Sequence, residues 1–301
     1  MNISIVMINY NSSAHTLDCL KSIADSKPTA SFEAIVVDNA SFSNDLQNLE
    51  SNISSYPWAK LVKNEFNLGF SGGNMAGFPY SRGQYVFFLN NDTRVLPGSL
   101  DAMFQFMEQH PNTALCSPTI YSEKNQRTAS FEYIPSVANK LFGSSLLRIF
   151  KPSNYPKRKT HYQRPIVVPV VSGATMFFRR SDFEQLGGYD TEYFLYCEEE
   201  DFAIRLQKNN KPIYLLNNAK VIHLGGGSTE RDLAIEKEFF ISFFYLLNKH
   251  YSLPSRIIIK SVYFLKECKR ALRTPQRRPL LKFLLSGCPK KQSLRYRQGN
   301  R

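Results

Sequence analysis

Cysteine is sparse in this 301-residue chain: five residues, Cys19, Cys116, Cys197, Cys268 and Cys288, widely spaced and without a C-x-x-C pair. An odd count with that spacing supports neither a disulfide framework nor a tetrahedral zinc site, and it suits a reducing compartment. No G-x-G-x-x-G and no Walker A sequence occurs, which sets aside dinucleotide and P-loop chemistry. The start, MNISIVMINYN, has no basic segment ahead of an apolar one, so it predicts a strand rather than a signal peptide. The longest apolar stretch near the end, residues 239–247, is far short of the roughly 20 residues that span a bilayer. A cytoplasmic location is the expectation.

Acids are nearly missing from one end. Residues 249–301 hold 15 Lys and Arg and one acid, Glu267, leaving 23 of the 38 basic residues and 24 of the 25 acids in residues 1–248. The net charge of +13 therefore belongs to the end of the chain, and the body is close to neutral. Hydrophobic content of 43% and charged content of 21% are ordinary for a globular protein. This length accommodates one large core with an appendage. The expected division is a body at 1–238 and a basic amphipathic extension at 239–301, disordered from Lys290.

Residues 3–8, 32–37, 59–63 and 85–89 are short β-branched or apolar runs, and Leu17, Leu20 and Ile23 keep helical spacing after a capping Ser13. Strands alternating with helices predict an α/β fold with a mostly parallel sheet covered on both faces. The strands end in polar segments: NYN at 9–11, DNAS at 38–41, and NND at 90–92; a loop, NLGFSGGN, is expected at 67–74. In open α/β sheets ligands bind at that edge, although the same residue types also make plain turns. Strands are expected again at 166–171, 175–178 and 220–223, the last running into LGGGS at 224–228. Between them, residues 130–170 mix Arg148, Lys151, Lys157, Arg158, Lys159 and Arg164 with Pro, Ser and aromatics without a period. They read as a mobile insertion beside an acceptor, or as a solvated excursion.

FLYCEEEDFAIR at 194–205 places Glu198, Glu199, Glu200 and Asp201 in a row between apolar residues. Carboxylates so close repel one another, and apolar surroundings raise the cost of their charge. The cluster is either a solvated helix start favoured by the macrodipole or a set of acids tuned for proton transfer.

VVDNAS at 36–41, NLGFSGGN at 67–74, FLNND at 88–92, SGATMFFRRSDFEQLGGYD at 172–190, the acidic segment and VIHLGGGS at 221–228 occur in this order. Together they resemble bacterial family 2 glycosyltransferases of the GT-A fold, especially the rhamnosyltransferase-like branch, over roughly residues 1–230. The resemblance implies a nucleotide-sugar donor. Asp38 would accept the imide N–H of the base, bordered by Asn9, Tyr10 and Asn11. Gly69, Gly72 and Gly73 would let main chain approach the nucleoside, with Asn67 and Asn74 supplying amides. Asn90-Asn91-Asp92 stands where the family has D-x-D. One carboxylate, Asp92, with diphosphate oxygens and water suits Mg²⁺ or Mn²⁺. His223 matches a late His that completes this site in some relatives, and is otherwise a structural hydrogen-bonding group. Ser172, Gly173 and Ala174 match a segment beside donor and acceptor, or serve only packing. The family pattern Glu-Asp-x-Asp puts Glu199 at the base, where Glu replaces Asp and shifts the carboxylate by about an ångström. Glu198 and Glu200 remain alternatives.

The resemblance implies inverting transfer of L-rhamnose from dTDP-rhamnose to a lipid-linked saccharide in cell-surface polysaccharide or O-antigen synthesis. UDP-galactofuranose, UDP-galactose or UDP-N-acetylglucosamine are alternative donors, and a non-catalytic nucleotide-sugar-binding module is an alternative function. Aromatic and aliphatic clusters interleaved with Lys and Arg beyond residue 239 suit an anionic membrane surface, at the inner face of the plasma membrane. Nucleic acid would also attract these charges, but the neutral body argues against it.

Overall fold

The computed structural model describes residues 1–225 and 232–297. Strand β1 (Ile3–Asn9) leads through α1 (Ser13–Asp25) to β2 (Phe32–Asp38), then through α2 (Ser43–Ile53) to β3 (Ala59–Lys63), α3 (Gly69–Gly77) and β4 (Tyr85–Leu89). There follow β5 (Thr93–Val95), α4 (Ser99–Gln109), β6 (Leu115–Tyr121), β7 (Phe131–Glu132), α5 (Val137–Phe150), β8 (Ile166–Val167), β9 (Val170–Val171) and β10 (Thr175–Arg179). The chain ends with α6 (Arg180–Gln185), α7 (Glu198–Lys208), β11 (Ile213–His223), α8 (Leu233–His250), α9 (Leu253–Arg273), α10 (Arg278–Leu285) and α11 (Leu294–Arg297).

The main sheet runs β3-β2-β1-β4-β10-β6-β11-β5, with β8 also on β11. Strands β1, β2, β3, β4, β6 and β11 point one way, and β10, β5 and β8 oppose them. Period-two alternation explains the two covered faces. Ile3, Ile5 and Met7 pack with Ala34, Val36 and α1, whereas Val6, Ile35 and Val37 pack on the other side with Val86 and Phe88. The parallel register pairs Asn9 with Asp38, and the antiparallel β5–β11 pair sets Thr93 against His223. Both polar ends thus reach the carboxyl edge of the sheet.

Several elements differ from expectation. Residues 69–77 form a helix rather than a loop, because the glycines let α3 lie directly on β1 and β2: an added Cβ at Gly77 would stand 2.6 Å from Val37 and 2.9 Å from Val6. The irregular excursion contains helix α5 and a two-stranded sheet of β7 and β9; Gly143, at φ +74° and ψ 155°, kinks α5 and hides its period. The expected boundary at 238/239 falls inside α8. Much of the apolar content of the extension is core, since Phe243, Leu246, Leu247 and Ile259 pack on Tyr193, Cys197 and Ile204. Beyond Lys290, Ser293 Oγ and the Leu294 N–H donate to the buried Glu238. Residues 226–231, which include part of the late glycine loop, and 298–301 lie outside the described residues.

Candidate active site

A cavity of about 390 Å³ opens at the carboxyl edge, lined by Tyr10, Ser12, Asn39, Asn67, Gly69, Asn74, Asn90, Asn91, Phe194 and Tyr196, and closed on one side by Ile235 and Leu294. Behind it, Asn9 Nδ2 lies within hydrogen-bonding distance of Asp38 Oδ1 (2.9 Å), Ser41 Oγ (3.0 Å) and Asp45 Oδ2 (2.8 Å). The Ser41 N–H donates to Asp38 Oδ2 at 3.1 Å. Asp38 is 1% exposed, with acceptor capacity left on both oxygens. Asn11, at φ +51°, accepts from the Phe42 N–H at 2.7 Å. Helix α1 is anchored by Asp45, which accepts from both the N–H and Oγ of Ser13, so Ser13 is held by a distant carboxylate and not by its own cap. Burial opposes the Asp45 charge, but bonds from Ser13 and Asn9 hold its carboxyl below the usual value.

Asn39 fastens the far wall. Its Oδ1 accepts from Asn64 Nδ2 and the Leu68 N–H, and its Nδ2 donates to Asn67 Oδ1 and the Gly69 carbonyl. Asn74 Nδ2 donates to the Phe70 carbonyl. Gly69 has φ +73°, and an added Cβ would stand 2.1 Å from the Phe194 carbonyl oxygen. An added Cβ would meet Leu68 at Gly72, and Ile8 and Asn39 at Gly73.

Asp92, directly after Asn90 and Asn91, is 3% exposed. Its Oδ1 lies 3.1 Å from His223 Nε2, and its carbonyl accepts from the Leu224 N–H. The two candidate metal ligands are thus brought together. One carboxylate and one imidazole fit a divalent ion that keeps water and ligand oxygens in its remaining positions. Among the described residues no third His, Cys, Asp or Glu joins them. Asn91 Nδ2 donates to Ser12 Oγ and Thr16 Oγ1, and the Asn90 N–H donates to the Ala174 carbonyl.

The acids open α7. Tyr196 and Cys197 precede it at φ +72° and +70°, two consecutive left-handed non-glycine residues of the kind that persist where surrounding structure enforces them. A second cavity of about 390 Å³ is lined by Glu199, Glu200, Phe239, Tyr263, Arg270 and Arg277 among others, and shares Tyr196 and Ile235 with the first. Glu198 lines neither cavity. Gly173 faces Glu199: a Cβ there would stand 3.4 Å from Glu199 Oε1, while the Ser172 N–H is used on the Ser130 carbonyl.

Burial pushes Glu198 up to about 8, with the Glu200 charge adding, and pushes Glu199 up to about 8, with the Glu198 charge adding. Burial and the Glu199 charge raise Glu200 well above its usual value. In each, Oε2 is buried without a hydrogen-bond partner among the described residues. Asp201 behaves oppositely. Burial opposes its charge, but His250, Lys249 and Arg205 hold it well below the carboxylate range, through contacts of 2.7 Å to His250, Lys249 and Arg205. It ties α7 to α8.

Sequence reasoning placed Asn39 and Ser41 at this edge without giving them a role, and it missed Asp45, Ser12 and Thr16 as members of the edge and Ile235 and Leu294 as walls. The polar ones sit beside strand ends already singled out. Nothing local in the chain marks the two apolar ones.

A family model for glycosyl transferase family 2 matches residues 4–187. N-acetylglucosaminyl-diphospho-decaprenol L-rhamnosyltransferase of Mycobacterium tuberculosis is 28% identical over 250 residues, 76% of this chain and 78% of that protein. Low-salt glycan biosynthesis hexosyltransferase Agl10 of Haloferax volcanii is 27% identical over 226 residues, 74% of this chain and 67% of that one. Among solved structures, GalNAc-T7 with UDP, GalNAc and Mn²⁺ superposes with a TM-score of 0.65 at 14% identity, over 95% of this chain and 56% of that one. S. aureus TarS 1–349 superposes with a TM-score of 0.53 at 17% identity, over 100% and 92%. At these identities the solved structures speak for the fold alone, and that fold is the GT-A architecture expected.

Proposed function

Because the chain belongs to glycosyl transferase family 2, we propose that it is an inverting transferase moving L-rhamnose from dTDP-rhamnose onto a lipid-linked saccharide for cell-surface polysaccharide. The observation that carries this is the pair of cavities sharing Tyr196 and Ile235, one ringed by asparagines at the strand ends and the other by buried glutamates. The first holds the donor. Its nucleoside rests between Tyr10 and the Asn39–Asn67 wall, with the base imide directed to Asp38, and its diphosphate reaches Asn90. The M. tuberculosis relative, a rhamnosyltransferase named for a diphospho-decaprenol acceptor, supports both donor sugar and acceptor class.

The described lining of the first cavity carries no charged side chain, so a diphosphate there requires a cation. Asp92 and His223 would hold Mg²⁺ or Mn²⁺, which would neutralise charge on the departing diphosphate. The acceptor hydroxyl enters from the second cavity. Glu199, ionised, takes its proton as the oxygen bonds to the anomeric carbon and the carbon–diphosphate bond breaks on the opposite face. Gly173 leaves the space in which the Glu199 carboxylate and the hydroxyl meet. With a lipid-linked acceptor, the protein works at the inner face of the plasma membrane.

The test is turnover of a panel of dTDP- and UDP-sugars with Mg²⁺ or Mn²⁺ and a lipid-linked saccharide extract, with Asp92→Ala and Glu199→Gln alongside. Release of dTDP from dTDP-rhamnose, lost in both variants, is expected. Activity with a UDP-sugar alone would keep the enzyme class and overturn the rhamnose assignment. Nucleotide binding without turnover on any donor would overturn transfer itself.

A further inference from the structure

Helix α5 has 14 residues and buries none of them. Five of its large apolar side chains face outward: Leu141, Phe142, Leu146, Ile149 and Phe150 are 44–74% exposed. A helix held only by its own chain would turn such residues inward. The kink at Gly143 separates Leu141 and Phe142 from Leu146, Ile149 and Phe150, which stand at i, i+3 and i+4 on one face.

Helix α9 also carries exposed apolar residues. Ile257, Ile258, Leu265 and Leu272 are exposed, Leu272 by 85%, and at about 100° per residue they fall within an arc of about 100°. Ile259, Glu267 and Ala271 are its buried residues. Lys266, Lys269 and Arg273 beside this stripe, and Lys151 directly after α5, are exposed. None of the four forms an ion pair with an acid among the described residues. The two helices meet where Lys140 Nζ donates to Tyr263 Oη at 2.7 Å and lies 4.7 Å from the ring centroid. Tyr263 is also a wall of the glutamate cavity.

We propose that α5 and the outer stripe of α9 form a membrane-docking face, which seats its apolar residues in an anionic bilayer and holds the glutamate cavity beside the lipid surface. This rests on the reading of a lipid-linked acceptor. Charge complementarity selects the occupant: uncompensated Lys and Arg rim the apolar stripe, the pattern that favours anionic lipid. The insertion helix, not the basic extension alone, supplies the wedge. Tyr263 then joins the surface that meets the lipid to the cavity that receives its saccharide, so the acceptor need not leave the bilayer.

The experiment is co-sedimentation of the full chain with phosphatidylcholine vesicles, with and without phosphatidylglycerol. Binding is expected to the anionic vesicles and to weaken with salt. Ile149→Glu with Phe150→Glu should lower partitioning by at least about tenfold, and Lys269→Glu with Arg273→Glu should lower it as well. Phe150→Trp in a Trp58→Phe background should keep binding and show emission quenched by brominated acyl chains. Equal binding of wild type and the Ile149/Phe150 variant, or unquenched emission, would overturn the proposal. So would a concentration-dependent dimer abolished by the same pair without vesicle binding, which would assign the face to a second copy. Vesicle binding needs no turnover, so its failure leaves the transferase reading standing. Failed turnover with intact binding sinks only that reading.

Discussion

Glu199 differs from its neighbours by what it faces. Glu198 and Glu199 are both pushed up to about 8 by burial, yet only Glu199 has both the cavity and the open side of Gly173 before it. Glu199→Gln is expected to lower kcat by about 10²–10⁴-fold while leaving donor affinity, measured by calorimetry, near wild type. The base must be charged to act, so log(kcat/KM) should climb with pH up to about 8 and level above it; a flat profile across that range would count against Glu199. The same elevation has a stability consequence of definite sign. A carboxyl raised on folding contributes stability that is fully present below its usual value of 4.5 and is lost as pH rises through about 8. Thermal unfolding of Glu198→Gln should therefore decline less with rising pH than wild type.

Two elements depend on single residues that bridge them. Asp201, fully buried, collects Arg205 from its own helix and Lys249 and His250 from α8. Asp201→Asn leaves Arg205 and Lys249 facing a neutral group, and a loss of about 3–5 kcal/mol is expected from denaturant unfolding. Because this carboxyl is lowered on folding, its stabilisation is present above the usual aspartate value of 3.8 and lost as acid titrates it. The variant should lack that acid limb. Gly69 bridges α3 and the Phe194 backbone, whose carbonyl also accepts from the Phe70 N–H at 2.6 Å. Gly69→Ala meets both a left-handed φ and that carbonyl, and about 2–4 kcal/mol of destabilisation is expected, read as a lowered Tm. Helix α3 also shows a limit of sequence patterning. Glycine disfavours helix by about 1 kcal/mol per residue, so NLGFSGGN reads as a loop until β1 and β2 are seen pressed against it.

Across the whole molecule, the C-terminal helices complete both cavities. Ile235 separates them, Phe239, Tyr263 and Arg277 wall one, and Leu294 closes the other. Leu294 is held by Glu238, and Lys290 by Glu192 at 2.9 Å. A chain lacking residues 290–301 should show a several-fold higher KM for the nucleotide sugar with a smaller change in kcat; an unchanged KM would remove these residues from the donor site. No described helix is long and apolar enough to cross a membrane. The sequence by itself determined the early parallel strands, the polar residues at their carboxyl ends and the crowding of four acids, because alternation, turn chemistry and charge density are local properties. Only the tertiary structure decided which acid meets a cavity, since successive helical positions turn by about 100° and what lies opposite is set by α8 and α9. It also decided which apolar residues of the basic end are core and which are surface: Phe243 and Leu272 are equally apolar in the chain, and burial depends on the element packed against each.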